Sequence, residues 1–171
     1  MPAMAQLPKL EVAVQRIEVD KQKVFDVVAS GAVLAPPATV WKILTNYERM
    51  PEFVPDLLTS RVLSRSGNEA IVEQFGVARM LFIRHDLHLI VRVSEQPMSS
   101  IDINLVSGDM KTYTCRWELT PMAETGGTRI NYSGRLVPDF YVPGMLGAQL
   151  IRSDIERMMA AVLARLDRPE Q

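Results

Sequence analysis

The chain has 171 residues, of which 47% are hydrophobic, and this is enough apolar material to fill the core of one domain. Nineteen basic and twenty acidic residues give a net charge of -1, and no dense Lys/Arg cluster suggests nucleic acid as a partner. The single cysteine excludes an internal disulfide, and no zinc-site spacing is present, so we expect a cytoplasmic protein without a structural metal or cofactor. Neither an export signal nor a membrane span is predicted.

The first third of the chain predicts a tail, a strand hairpin and a helix. Residues 1–9 are expected to be a flexible tail, and residues 10–168 to form a single domain. Residues 10–23 predict an N-terminal strand extension, which turns into a second strand over about 23–34 that is rich in β-branched residues. Pro36-Pro37 then begins a helix, because proline is tolerated in the first helical turn.

A short apolar segment interrupted by prolines follows this helix. Pro51 and Pro55 lie in a run that also holds Met50, Phe53 and Val54. The prolines keep the segment from continuing the preceding helix, and its apolar side chains are unusual for a surface loop. We interpret it as a short lid over an apolar pocket, which offers apolar surface to a bound molecule or to a membrane that the protein contacts transiently.

Residues 58–138 predict a series of antiparallel strands separated by turn sequences. Apolar and polar residues alternate in four clear runs, which is typical of a sheet with one dry face and one wet face. The dry face is predicted to carry Leu87, Leu89, Val91, Val93, Ile101, Ile103, Leu105, Tyr113, Cys115, Trp117, Leu119, Ile130, Tyr132, Gly134 and Leu136.

The last segment, from about residue 143 to residue 166, predicts a long amphipathic helix. Its apolar side includes Ile151, Ile155, Met158 and Val162. At 1.5 Å per residue the helix would be roughly 35 Å long, about the width of a small domain. Because a twisted sheet and a straight helix diverge, they are expected to enclose a cavity along part of their length.

Several short motifs resemble the START-like superfamily. They are Ala35-Pro36-Pro37-Ala-Thr-Val40-Trp41, Leu44-Thr-Asn-Tyr47 leading into Pro51-Glu-Phe53-Val54-Pro55, Ser60-Arg61-Val62, and Gly108-Asp109-Met-Lys-Thr-Tyr113 before Arg116-Trp117. They are most similar to the polyketide cyclase/dehydrase group that includes the coenzyme-Q-binding START proteins. The resemblance covers the chain from about residue 24 and implies an α+β helix-grip fold. In this fold a curved antiparallel sheet wraps around a long C-terminal helix, with two short helices after the first core strand.

The resemblance also implies a function. Members of this superfamily hold lipids, quinones, polyketides or hormones in a deep apolar pocket, and many are carriers or chaperones. We therefore predict non-catalytic binding or carriage of a hydrophobic small molecule such as a quinone, isoprenoid, lipid or polyketide-like chain. One alternative is a polyketide cyclase, aromatase or dehydratase. A second is an interaction protein similar to the ribosome-association toxin.

The candidate ligand-binding residues are expected on the lid, on the dry face or on the helix side that faces the sheet. They are Tyr47, Met50, Phe53, Val54, Ser60, Glu73, Phe75, Leu89, Tyr113, Trp117, Tyr132, Met145, Leu146, Ile151 and Ile155. The large aromatic residues fit a filled core as well as a pocket, and the methionines fit an adaptable wall as well as an irregular core. No catalytic and no metal-ligating residue is predicted.

Glu73 is the one carboxylate expected to point inward. The alternation that buries Ile71 and Phe75 also turns Glu73 toward the interior, where it would anchor a ligand head group. The alternative is that a bulge near Gly76, or a helix cap, resolves its burial. The four clear strands place only tyrosine and cysteine as polar groups on the dry face, which argues against proton-transfer catalysis.

Overall fold

The computed structural model describes residues 9–80, 83–144 and 146–168, without the side chains of residues 80 and 83. Within these residues the strands are β1 Glu11–Val19, β2 Gln22–Val33, β3 Leu57–Ser66, β4 Glu69–Met80, β5 Ile83–Gln96, β6 Ser100–Gly108, β7 Met110–Pro121 and β8 Thr128–Pro138. The helices are α1 Pro37–Leu44, the 3-10 helix Tyr47–Glu52 and α2 Gly147–Leu166. The eight strands form one antiparallel sheet in the order β1-β2-β8-β7-β6-β5-β4-β3, which confirms the predicted α+β helix-grip fold.

The N-terminal hairpin adds an edge strand to the sheet. β1 pairs with β2 from Glu11 opposite Ser30 to Val19 opposite Gln22. The two turn residues, Asp20 and Lys21, have φ values of 48° and 66°. A two-residue turn with both residues in the left-handed region matches the natural twist of a hairpin. Residues 1–8, which hold most of the predicted tail, lie outside the described residues.

The sheet is irregular where its strands bend around α2. The pairing of β5 with β6 shifts register between Ile90 and Val91, and similar shifts occur in the β3–β4 and β7–β8 pairs. Such bulges bend a strand and increase its local twist. Gly108, at the end of β6, has a φ of 134°, and a Cβ there would lie 2.2 Å from the carbonyl oxygen of His88. Only glycine fits this close approach between strands.

The long helix α2 packs against β2 at two glycines. A Cβ on Gly31 of β2 would lie 2.6 Å from Cδ1 of Leu163, near the end of α2. At the other end, a Cβ on Gly147 would lie 3.0 Å from Cζ of Phe25, which also belongs to β2. α2 begins at Gly147, four residues after the predicted start at about residue 143. The chain up to Gly144 forms a connection instead, and Arg16 donates a hydrogen bond to the Gly144 carbonyl at 3.3 Å.

The core fills the space between the inner face of the sheet and the helices α1 and α2. Its fully buried side chains come from both layers and from α1: Val27, Val33, Val40, Val72, Val93, Ile101, Ile130, Met159, Val162 and Leu166. α2 lies against β1, β2 and α1. Because the sheet curves away from α2 toward β4 and β5, packing is tight on one side of the helix and open on the other. The open side holds the site described next.

Candidate functional site

A cavity of about 200 Å³ lies between the inner face of the sheet and α2. Most of its lining is aliphatic or aromatic, and Asp56 is the one charged residue among the described residues that line it. The lining residues are Leu44, Tyr47, Met50, Val54, Pro55, Asp56, Leu57, Val72, Gln74, Gly76, Val77, Leu87, Leu89, Val91, Val93, Ile101, Ile103, Tyr113, Trp117, Tyr132, Met158 and Val162. A concave apolar surface with few polar groups is typical of small-molecule sites.

Residues 47–57 form the roof of this cavity. Tyr47 is buried, and Met50 and Val54 line the cavity together with Leu57. Pro51 lies inside the 3-10 helix and removes a backbone donor, so the segment stays a short turn rather than an extension of α1. The sequence thus predicts correctly that this apolar, proline-interrupted segment covers a pocket.

A buried hydrogen-bond network fastens the first end of the roof to the sheet. The Tyr47 hydroxyl donates to the carboxylate of Glu95 on β5, and Arg65 on β3 donates to the same carboxylate at 2.9 and 3.3 Å. Burial and the neighbouring carboxylate raise the pKa of Tyr47 far above its usual value. Burial opposes ionisation of Glu95, but the hydrogen bonds from Arg65 and Tyr47 outweigh it and lower the pKa of Glu95. Tyr47 is therefore a neutral donor.

The inner end of the cavity carries a neutral polar group, which we call the inner cluster: Tyr113, Cys115 and Tyr132. The Cys115 sulfur lies 3.1 Å from the Tyr132 hydroxyl, and the Tyr132 ring packs against Trp117 with centroids 4.8 Å apart. Burial raises the pKa of the Cys115 thiol to about 11. The nearby cysteine and burial raise the pKa of Tyr113 well above its usual value, and burial does the same for Tyr132. All three groups are protonated at neutral pH.

The cavity meets solvent at a group of charges beside the end of the roof, which we call the mouth cluster: Asp56, Arg79, Asp154 and Arg157. Arg79 Nε donates to the Asp56 carboxylate at 3.0 Å, and Arg157 donates to its other oxygen. Arg157 also donates to Asp154 at 3.3 Å. Burial opposes ionisation of Asp56, but the two guanidinium groups outweigh it and lower the pKa of Asp56. Burial raises the pKa of Asp154.

Seven predicted site residues line the cavity: Tyr47, Met50, Val54, Leu89, Tyr113, Trp117 and Tyr132. Ser60 is buried behind the lining, where it accepts a hydrogen bond from Gln74 Nε2 at 3.2 Å. Phe53 lies on the roof outside the lining, with the Arg165 guanidinium 5.9 Å from its ring centroid. Contact between any of these residues and a ligand stays a prediction.

The predicted inward orientation of Glu73 and Phe75 is wrong. Both lie on the outer face of β4, where Glu73 contacts His88 Nε2 at 2.9 Å and Arg61 at 3.3 Å. The Phe75 ring stacks on His88 with centroids 4.2 Å apart, and the side chain is 42% exposed. A bulge does lie near Gly76, in β3, where Leu57 pairs with Gly76 and Thr59 with Phe75, but the pairing of β4 with β5 is continuous past Glu73. The side chains of β4 that point inward are Val72 and Gln74, one residue out of phase with the prediction. The Glu73 carboxylate is paired at the surface by Arg61 and His88.

Three predicted residues on or before α2 are not part of the lining. Leu146 is 43% exposed before the helix, and Ile151 and Ile155 pack into the core beside the cavity. Met145 lies outside the described residues. The helix instead contributes Met158 and Val162, one turn apart, because the cavity lies toward its C-terminal half.

Sequence reasoning missed Val72, Gln74 and the mouth cluster. The segment Ile71-Val72-Glu73-Gln74-Phe75 has apolar residues in both alternations, so its inner face could not be chosen from the pattern. The difference in charge could have indicated the inner face. A buried neutral Gln74 needs only a hydrogen-bond partner, whereas a buried Glu73 carboxylate needs an ion pair. The mouth cluster joins three elements that are distant in sequence, and no local pattern points to it.

Comparison with known proteins assigns the family. The model of the family "Polyketide cyclase / dehydrase and lipid transport" matches residues 33–163, which is most of the chain. The chain belongs to this family. No curated protein matches it. Binding of coenzyme Q, which a narrower resemblance implies, stays a prediction.

Several solved structures share the fold at low sequence identity. A START superfamily protein from Mycobacterium smegmatis is 18% identical, with a TM-score of 0.73 over 84% of this chain and 97% of that chain. A STAR-related lipid transfer protein fragment from Xanthomonas axonopodis is 17% identical, with a TM-score of 0.72 over 94% and 97%. The Zhui aromatase/cyclase from a Streptomyces species is 13% identical, with a TM-score of 0.69 over 86% and 96%. Both carriers and enzymes are thus among the proteins of similar fold.

Two further observations concern the described residues alone. No helix among them combines the length and the apolar character that crossing a bilayer requires. No three of their His, Cys, Asp or Glu side chains are grouped so that they could hold a metal ion.

Proposed function

We propose that the protein binds and carries a hydrophobic small molecule in the cavity between the sheet and α2, without transforming it. The observation that carries this proposal is the composition of the lining. Its described residues are aliphatic or aromatic except for Gln74 and Asp56, and Asp56 is already paired with two arginines. Affinity would come from burial of apolar surface, at about 0.8 kcal/mol per CH₂ group.

The size of the cavity limits how much of a ligand it encloses. Its volume of about 200 Å³ is smaller than the roughly 300–1,000 Å³ of sites that enclose drug-sized molecules. A quinone, isoprenoid or lipid would therefore place one segment inside and extend past the roof, or displace the roof. Loading at a membrane surface by transient contact fits such a roof, and the name of the family includes lipid transport.

The inner cluster supports binding rather than catalysis. General acids and bases work best when their pKa lies near the working pH. The pKa of Cys115 is raised to about 11, and those of Tyr113 and Tyr132 are also raised, so none of them exchanges a proton readily at neutral pH. The hydroxyl groups of Tyr113 and Tyr132 would instead orient an oxygen atom of the ligand by hydrogen bonding.

The decisive experiment is native mass spectrometry of protein purified from cells, followed by extraction and identification of the bound molecules. We expect a co-purified apolar compound. A series of straight-chain alcohols added to delipidated protein should then bind about fourfold more tightly per added CH₂ until the cavity is filled. Protein that is consistently empty and that also refuses quinones, fatty acids and alcohols would contradict carriage.

The second candidate is a polyketide cyclase, aromatase or dehydratase. It is supported by the similar fold of the Zhui aromatase/cyclase and by the tyrosine hydroxyls at the cavity. A poly-β-keto substrate incubated with the protein tests it. Cyclised product that is lost in Tyr113→Phe and Tyr132→Phe, with folding unchanged, would favour this enzyme over a carrier.

A further inference from the structure

The mouth cluster places two arginines at the rim of an otherwise apolar cavity. Arg79 comes from β4 and Arg157 from α2, and their side chains are 54% and 46% exposed. Both donate to Asp56, whose side chain is 18% exposed and which lines the cavity. A carboxylate of the chain itself thus lies between two guanidinium groups at the point where the apolar lining meets solvent.

The charges of the cluster balance only when a carboxylate occupies this position. Arg79 and Arg157 carry two positive charges, and Asp154, at 3.3 Å from Arg157, supplies one negative charge. Asp56 supplies the second. If Asp56 moved into solvent, one external anion of charge -1 would restore neutrality, and arginine pairs are well suited to a carboxylate because their N–H groups donate to both oxygens.

Asp56 joins the roof to the sheet, since β3 begins at the next residue, Leu57. It lies at the end of the roof and has a φ of 62°, a left-handed conformation that costs energy in residues other than glycine, asparagine and aspartate. Its carbonyl oxygen accepts a hydrogen bond from Val77 N at 2.9 Å. The two arginine contacts and this backbone bond therefore close the roof onto β4 and α2.

We propose that the ligand is an amphiphile with a carboxylate head group, which replaces Asp56 between Arg79 and Arg157 while its apolar tail enters the cavity. This inference rests on the proposed function and narrows the class of ligand. Exchange of one carboxylate for another removes both side-chain bonds at this end of the roof and leaves the backbone bond to Val77, so that binding of the head group loosens the roof for entry of the tail. A neutral lipid of equal length lacks the group that performs the exchange.

The test compares decanoate with 1-decanol, which differ in the head group and share the length of the tail. Dissociation constants for both are measured by displacement of a fluorescent apolar probe from delipidated protein. We expect the wild type to prefer decanoate. In the double variant Arg79→Gln/Arg157→Gln the affinity for decanoate relative to 1-decanol should fall about tenfold or more, because the charged head group loses both of its partners.

Asp56→Asn tests the replacement of the internal carboxylate. Asparagine also tolerates the left-handed conformation, so the backbone is retained while the competing charge is removed. We expect the affinity for decanoate relative to 1-decanol to rise about threefold or more, because only the carboxylate competes with Asp56 for the two arginines. Arg152→Gln is the matched control: Arg152 lies on α2, as Arg157 does, but pairs with exposed Glu156 at 2.9 Å and is not part of the cavity lining, so its loss should leave the preference unchanged.

A measurement on the wild type covers the case in which a variant fails to fold. Raising the salt concentration screens charges at an exposed rim, so the decanoate/decanol ratio should fall with salt. Acetate should bind weakly, because it lacks a tail. If both amphiphiles bind equally and neither the variants nor salt change the ratio, the inference is wrong and carriage stands. If neither binds, carriage itself fails.

Discussion

The inner cluster and the mouth cluster border one cavity, and their polar groups are stabilised in different ways. The inner cluster is buried and neutral, and its hydroxyl and thiol groups bond to each other. The mouth cluster is partly exposed and charged, and its carboxylates are paired with arginines. The difference follows from solvation, because unpaired charge is costly in an apolar interior and is tolerated where water reaches.

This contrast has a consequence for ligand orientation. A charged head group placed at the inner cluster would meet only neutral donors and no compensating cation. At the mouth it would meet two guanidinium groups. On the proposed function we therefore expect a charged head group at the mouth, whereas the inner cluster can bind only a neutral polar atom.

The largest effect is expected at the inner end. Trp117 is 6% exposed and packs against Tyr132, so Trp117→Ala should lower the free energy of unfolding by about 3–5 kcal/mol through lost burial and a residual void. Urea unfolding followed by circular dichroism measures this. Trp41→Ala is the control, because Trp41 is only partly buried and should lose clearly less. Equal losses would show that the inner end is no better packed than the surface of α1.

The next effect concerns the chemistry of the inner cluster. Because burial raises the pKa of Cys115 to about 11, almost no thiolate exists at pH 8. Reaction with a disulfide reagent such as Ellman's should be slower than for the urea-unfolded chain by about 100-fold or more. Spectrophotometric release of the reagent's thiol gives the rate. A native rate close to the unfolded one would mean that the cluster is open to solvent.

A smaller effect is expected for the mouth cluster. Asp56→Asn should lower the free energy of unfolding at pH 7 by about 1 kcal/mol, because two arginine contacts lose their charge. The pKa of Asp56 is lower in the folded state, so its stabilisation is present above its ordinary pKa and is lost as the pH falls through the folded value. Urea unfolding at pH 7 and pH 3 should thus show the difference shrinking. A constant difference would exclude the ion pairs as its cause.

The smallest expected effect is a gain in stability, for a change at Asp154 of the mouth cluster. Burial raises the pKa of Asp154, so the charged form destabilises the fold once the pH exceeds the ordinary aspartate pKa. Asp154→Asn should therefore raise the stability slightly at pH 7, by a few tenths of a kcal/mol at this half-exposed site, and change nothing at pH 3. Thermal unfolding at both pH values checks the sign. A loss of stability at pH 7 would show that the contact with Arg157 outweighs burial.

The two clusters also differ in how far the sequence predicts them. Tyr113, Trp117 and Tyr132 lie on strands that alternate cleanly, so their inward orientation follows from the two-residue period and is confirmed by the lining. The roof can also be predicted from the sequence, because its prolines and apolar residues lie close together in the chain. In β4 both alternations carry apolar residues, and Glu73 is placed outside by Arg61 and His88, partners that only the sheet register brings near.

The mouth cluster is invisible in the sequence for a different reason. Asp56, Arg79 and Arg157 are separated by 23 residues or more, and each looks like an ordinary surface charge in its own segment. Their meeting depends on the tertiary packing of α2 against the end of the roof. Patterns of period two or 3.6 report which face of an element is apolar, but not which distant charge will lie opposite it.

The two glycine contacts between α2 and β2 determine which wall of the site can yield. Leu163 lies against Gly31 near one end of the helix, and Gly147 lies against Phe25 at the other. Contact with one strand near both of its ends restrains α2 against rocking on the sheet. On the proposed function we therefore expect ligands of different girth to be accommodated by displacement of residues 47–57, so that selectivity for girth resides in that segment rather than in the helix.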